Sequence, residues 1–147
     1  MSELPTLGSM HTYGYGINDS GSVVGSLESV HAFVYANGTT HDLGTLGGAQ
    51  SIAYGLNNAG QVVGKSDVLG NIHAFLYSGS TMHDLGTLGG TYSEALGINN
   101  LGQIVGISLN SANSFRGFLY SAGAMMPFSS KAQDRRRHKS HSLLRHR

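Results

Sequence analysis

Apolar residues along this chain come in short runs that do not alternate cleanly with polar ones. In His73-Ala74-Phe75-Leu76-Tyr77, an extended backbone sends Ala74 and Leu76 to one face and Phe75 and Tyr77 to the other. Neither face is polar. Adjacent Val62 and Val63 say the same of a second run. A strand with one wet face alternates apolar and polar residues, so the pattern predicts short strands in sheets buried on both sides. Between the runs lie clusters of Gly, Asn and Ser, the residues of tight turns. No stretch carries the longer period of an amphipathic helix.

The runs recur. Gly16-Ile17-Asn18-Asp19-Ser20-Gly21-Ser22-Val23-Val24-Gly25 reappears as Gly55-Leu56-Asn57-Asn58-Ala59-Gly60-Gln61-Val62-Val63-Gly64 and as Gly97-Ile98-Asn99-Asn100-Leu101-Gly102-Gln103-Ile104-Val105-Gly106. A second element reads His31-Ala32-Phe33-Val34-Tyr35, then His73 to Tyr77, then Arg116-Gly117-Phe118-Leu119-Tyr120. A third, His41-Asp42-Leu43-Gly44-Thr45-Leu46-Gly47-Gly48, returns at His83 to Gly90, with a worn copy at residues 3–9. Self-similarity near a period of roughly 42 residues is the mark of a repeat architecture. Each copy predicts four strands joined as a meander, the first two linked by an Asn-x-x-Gly hairpin.

The expected fold is therefore all-β. It consists of three tandem four-stranded antiparallel meander units, at about 10–48, 49–90 and 91–128, stacked like the blades of a partial β-propeller. The alternative is a β-trefoil, which closes with three units of this size. Blades would leave two terminal faces uncovered, so the expected partners are further repeats or another copy of the chain.

Composition supports short strands and tight turns: 22 of 147 residues are Gly and only 12% are charged. The net charge of +1 hides a segregation. Residues 1–130 hold two bases and seven acids, and residues 131–147 hold seven bases and one acid. The acidic body argues against a specific nucleic-acid surface. Residues 129–147 are expected to be a disordered basic tail, and the abrupt change of composition suggests a frameshift or gene fragment. With no cysteine, disulfides and thiolate metal sites are excluded. No apolar run reaches membrane-helix length, and Met1 to Met10 lack the pattern of a signal peptide.

The three motifs together resemble the HAF repeat family, a probable extracellular repeat of bacteria named for its His-Ala-Phe signature. The resemblance covers roughly residues 3–128. The third copy departs from it, with Arg116-Gly117-Phe118 for the signature and no Asp-Leu-Gly-Thr-Leu element. The resemblance implies an extracellular or cell-surface setting and supplies no catalytic residues.

Candidate chemistry is thin. His31, His41 and Asp42, with His73, His83 and Asp84, are the residue types of a zinc site. Arg116 and Met126 break the set in the third copy. The expectation is that the aspartates accept backbone bonds from a turn and the histidines cap strand ends. Gly64-Lys65-Ser66 lacks the first glycine of a phosphate loop, since Ala59 stands there, and no helix pattern follows. The Asn-rich turns lack the carboxylates of a calcium loop. The polar residues unique to one copy (Lys65, Glu94, Arg116) occupy different repeat positions, which favours binding over catalysis. The sequence thus predicts a non-enzymatic repeat module of a secreted or surface bacterial protein. No catalytic, cofactor or metal residue is assigned and no cofactor is expected. The alternative is a fragment of a propeller-type hydrolase or lyase.

Overall fold

A computed structural model describes residues 11–28 and 30–128. The worn copy at 3–9 and the basic tail at 129–147 lie outside the described residues.

The described chain is all-β and contains no helix. Its strands are β1 (Thr12–Ile17), β2 (Val23–Leu27), β3 (His31–Ala36), β4 (Thr39–Gly44), β5 (Ser51–Leu56), β6 (Val62–Val68), β7 (Asn71–Ser78), β8 (Thr81–Gly86), β9 (Gly89–Ile98), β10 (Ile104–Asn110), β11 (Phe115–Ser121) and β12 (Ala124–Phe128). β1 to β4 form one antiparallel sheet in chain order. β5 to β12 form a larger mixed sheet. Within it, β5 to β8 pair antiparallel with their chain neighbours, and so do β9 to β12. The two halves join through one parallel pairing, Ile72 with Tyr92. The strands close no barrel, so the closure that a trefoil needs is not present.

Two recurring bulges, one found in all three motifs and one in the first two, explain residues that plain alternation does not. In β5, Ala53 faces Gly64 and Gly55 faces Val63, leaving Tyr54 as the extra residue. Tyr15 in β1 and Leu96 in β9 occupy the same place. The bulge pushes a carbonyl against the opposite strand, where a Cβ on Gly64 would lie 1.9 Å from the Ile52 oxygen. Only glycine fits there, which accounts for the repeated Val-Val-Gly. The second bulge lies in β4 and β8, where Leu43 and Leu85 are the extra residues. Gly44 follows at φ 74°, a left-handed conformation that glycine adopts without strain. The bulge turns both leucines into the core, each under 10% exposed.

The core has two layers, one on either side of β5–β8. Phe75 packs with Val24, Ala32, Leu43, Ala53, Leu56 and Val62, flanked by Tyr77. Ala74, two-sided with it along β7, packs with Val63, Leu85, Ala95, Ile104 and Phe118, flanked by Leu76. The division of β7 into an Ala74/Leu76 face and a Phe75/Tyr77 face is thus observed. Phe33, Phe75 and Phe118 are buried, whereas Tyr35, Tyr77 and Tyr120 are half-buried. Their hydroxyl ends account for the difference, because a buried phenol needs a hydrogen-bond partner.

Candidate functional site

Three Asn-x-x-Gly turns line up across the structure and bond to one another. In each, the Asn side-chain oxygen accepts from two backbone N–H groups of its own turn. Asn57 Oδ1 takes those of Ala59 and Gln61 at 3.1 and 3.0 Å, and Asn18 and Asn99 repeat the arrangement. The side-chain amide then reaches the next turn: Asn18 Nδ2 donates to the Asn57 carbonyl and Asn57 Nδ2 to the Asn99 carbonyl, both at 3.0 Å. A second rung runs beside it, from Asp19 N to Asn58 Oδ1 and from Asn58 N to Asn100 Oδ1. Asn58 Nδ2 also donates to the Asp19 carboxylate at 2.8 Å. The Asn side-chain oxygens that a calcium ion would need are therefore occupied by backbone donors, and the Asp19 carboxylate by the Asn58 amide. Glycine again permits the approach between the first two turns, since a Cβ on Gly16 would lie 3.1 Å from the Tyr54 carbonyl oxygen and 3.3 Å from the Gly55 Cα.

Serines make the second set of links. Ser51 Oγ donates to the Gly44 carbonyl at 2.5 Å and accepts from Ala32 N at 2.8 Å, serving the bulge in the preceding sheet. Ser93 does the same for Gly86 and Ala74. Ser66 and Ser108 accept from Leu46 N and Leu88 N in the connecting segments, both at 2.8 Å. All four serines are buried with their donor and acceptor capacity engaged, so none is placed as a nucleophile. Ser26 Oγ, also buried, has no hydrogen-bond partner among the described residues. It occupies in β2 the position that Lys65 holds in β6.

The histidines pair with the aspartates rather than converge on a common centre. His31 Nδ1 lies 2.8 Å from Asp42 Oδ2, and His73 Nδ1 lies 2.8 Å from Asp84 Oδ1. Each aspartate also accepts from the glycine N–H two residues on, at 2.7 Å. The turn role expected of Asp42 and Asp84 is present. Strand capping describes His31, the first residue of β3, but not His41, His73 or His83, which lie within β4, β7 and β8. Among the described residues no three His, Asp or Glu side chains gather closely enough to hold a metal.

One polar cluster departs from the repeat pattern, and here the structure corrects the sequence reading. Lys65 and Glu94 are not scattered: Lys65 Nζ lies 3.7 Å from Glu94 Oε2. Tyr92 bridges them, accepting from Lys65 at 3.2 Å and donating to Glu94 at 2.9 Å. Its ring centroid is 5.5 Å from the ammonium, within cation–π range. Tyr54 faces the same ammonium and meets Tyr15 edge to face at 5.5 Å. Arg116 stands apart, donating to the Phe115 carbonyl. The sequence missed the cluster because its members lie on β5, β6 and β9. Only the facing of those strands brings them together.

Burial pushes the Tyr54 and Tyr92 hydroxyls above the ordinary phenol value. At Lys65 burial works against the charge. The bond to Tyr92 and the negative charge of Tyr54, Tyr92 and Glu94 outweigh it, and the net direction is upward. All three groups hold their protons more tightly folded than unfolded, so their contribution is present at neutral pH. It is lost as pH rises through about 10, where the unfolded tyrosines and lysine titrate. Thermal melts should therefore fall more steeply above pH 10 for the natural chain than for Lys65→Met/Glu94→Gln. Parallel curves for the two would show that the cluster is not the cause.

The last feature concerns the two ends of the array of strands. Val24 in β2 and Val63 in β6 are fully buried, whereas Val105, at the same place in β10, is 45% exposed. Ile17 in β1 is 70% exposed, whereas Leu56 in β5 is 9% exposed. No protein-family model matches the chain, and neither the curated proteins nor the solved structures give a match. No helix among the described residues is long and apolar enough to cross a membrane.

Proposed function

We propose that the chain is a non-enzymatic interaction module. In this reading it is built of three stacked, propeller-like meander units of the HAF type and works in a secreted or cell-surface bacterial setting. One observation carries the reading: Asn and Ser side chains that recur from copy to copy are spent on joining neighbours. Asn18 and Asn57 reach the next turn. Ser51, Ser66, Ser93 and Ser108 satisfy backbone groups of the preceding motif. A repeat held by such nearest-neighbour links offers its faces and loops to partners.

The meeting of Lys65, Tyr92 and Glu94 favours a second reading, a fragment of a propeller-type hydrolase or lyase. A base, an acid and a phenol in contact are the parts of general acid–base chemistry. Against it, the three groups saturate one another, and Glu94 and Lys65 neutralise each other's charge. The two readings separate when the full chain and its Lys65→Met/Glu94→Gln variant are incubated with chromogenic glycosides, esters and uronate polysaccharides. Equal background rates are expected. Turnover by the natural chain that the variant lacks would replace the module with the enzyme.

A further inference from the structure

The Asn ladder has a direction, and its two ends are complementary. Each step sends an Asn amide, and the backbone N–H of the following residue, onto the next turn. The acceptors there are a backbone carbonyl and the side-chain oxygen of the following residue. At the last turn the donors lack a destination. Among the described residues Asn99 Nδ2 bonds only within its own turn, to Gln103 Oε1 at 2.9 Å, whereas Asn57 Nδ2 bonds both Gln61 Oε1 and the Asn99 carbonyl. At the first turn the Asn18 carbonyl, which takes Gly21 N as those of Asn57 and Asn99 take Gly60 N and Gly102 N, and the Asp19 carboxylate, one oxygen of which takes the Asn58 amide, receive no donor from a preceding turn among the described residues. Apolar exposure falls at the same two ends. Val105 is 45% exposed where Val24 and Val63 are buried, and Ile17 is 70% exposed where Leu56 is 9% exposed.

We propose that the β9–β12 end of one chain docks onto the β1–β4 end of a second copy, head to tail. Asn99 Nδ2 donates to the Asn18 carbonyl of that copy, and Asn100 N to its Asp19 carboxylate. Val105 and Ile17 are buried in the joint. The contact repeats the geometry of the two internal steps, so the chain carries both halves of the interface. Asp19 suits the role better than asparagine would, because a carboxylate presents only acceptors to the incoming N–H groups. Such an interface is heterologous, closing into a ring where the rotation allows and growing into a filament where it does not. This inference rests on the stacked reading above and names its partner.

The test uses the full 147-residue chain in light scattering after size exclusion, with two exposed positions changed. Ile17→Arg blocks one end and Val105→Arg blocks the other. The natural chain should show at least twice its 15.5 kDa mass. Each variant alone should be monomeric, and an equimolar mixture should give a one-to-one dimer that grows no further. A monomeric natural chain at every concentration, a mixture that stays monomeric, or an Ile17→Arg chain that still self-associates would each overturn the proposal.

Should an arginine variant fail to fold, cysteines decide the matter in this cysteine-free chain. Asp19→Cys/Asn100→Cys places both changes on exposed turns and should oxidise to covalent dimers and larger species. Asp19→Cys/Asn58→Cys should instead close within one chain. If the second pair closes and the first does not crosslink, the stacked module stands and the second copy is refuted. If neither forms, the stacked reading falls with it.

Discussion

Phe75→Ala should cost roughly 3–5 kcal/mol of stability, the expected range for emptying a fully buried phenylalanine site. Phe75 has no exposed surface and is the largest fully buried side chain in the layer between β1–β4 and β5–β8. Its neighbours come from five strands of two sheets, so they cannot all relax into the space. A domain of this size holds about 5–15 kcal/mol in total, and the loss removes a large share of it. Phe115, 57% exposed and in edge contact with Tyr92, provides the contrast, with an expected loss below about 1 kcal/mol. Urea unfolding followed by tyrosine fluorescence measures both, since the chain has no tryptophan. An unchanged midpoint for Phe75→Ala would remove β7 from the core.

Asn57→Ala should cost about 3 kcal/mol. Asn57 is 3% exposed, and its truncation orphans the Ala59 and Gln61 N–H groups and leaves the Asn99 carbonyl with only the Gly102 N–H. Each buried group left unpaired costs roughly 1–3 kcal/mol, tempered where water can reach the turn. Asn57→Asp should fall in between, keeping the two acceptor bonds but setting a carboxylate oxygen against the Asn99 carbonyl. Asn99→Ala should be milder by about 1 kcal/mol, the net worth of one hydrogen bond, because its amide makes no onward bond. Equal losses at Asn57 and Asn99 would mean that the ladder contributes nothing beyond each turn. Chemical denaturation of the three variants under one set of conditions gives the ranking.

Much of the all-β character was legible because turn chemistry and strand composition agree. Asn18–Gly21, Asn57–Gly60 and Asn99–Gly102 predict hairpins, and each is flanked by paired antiparallel strands with its glycine at positive φ. The two-faced reading of β7 held because five consecutive apolar or aromatic side chains leave no polar face. The bulges were not legible. Leu43 looks like an ordinary strand residue until the Ala32/Phe33 register shift turns it inward. Nor were the serine links, because serine is common in this chain and nothing local marks Ser51 as the acceptor for Ala32. Nothing local marks Lys65, since the other two copies place Ser26 and Ile107 at its position. Its partners Tyr92 and Glu94 lie 27 and 29 residues away, and their meeting depends on packing rather than spacing. The Asn ladder fell between these cases: the turn was visible, but the step from one turn to the next was not.

The two kinds of hairpin tip imply different tolerances for change. At the Asn18, Asn57 and Asn99 tips both the side chain and the backbone are engaged by neighbours. The tips between β3 and β4, β7 and β8, and β11 and β12 place Asn37-Gly38, Gly79-Ser80 and Ala122-Gly123 in left-handed backbone conformations. Nothing lies within 4 Å of a Cβ added at Gly38, Gly79 or Gly123. Drift, insertion and grafted peptide loops are accommodated at such open tips, provided the two left-handed residues are kept or the loop is lengthened. Both kinds of tip lie at the same end of the strands, where Val62 pairs with Tyr77, so that end sets turns that hold one another beside turns open to change.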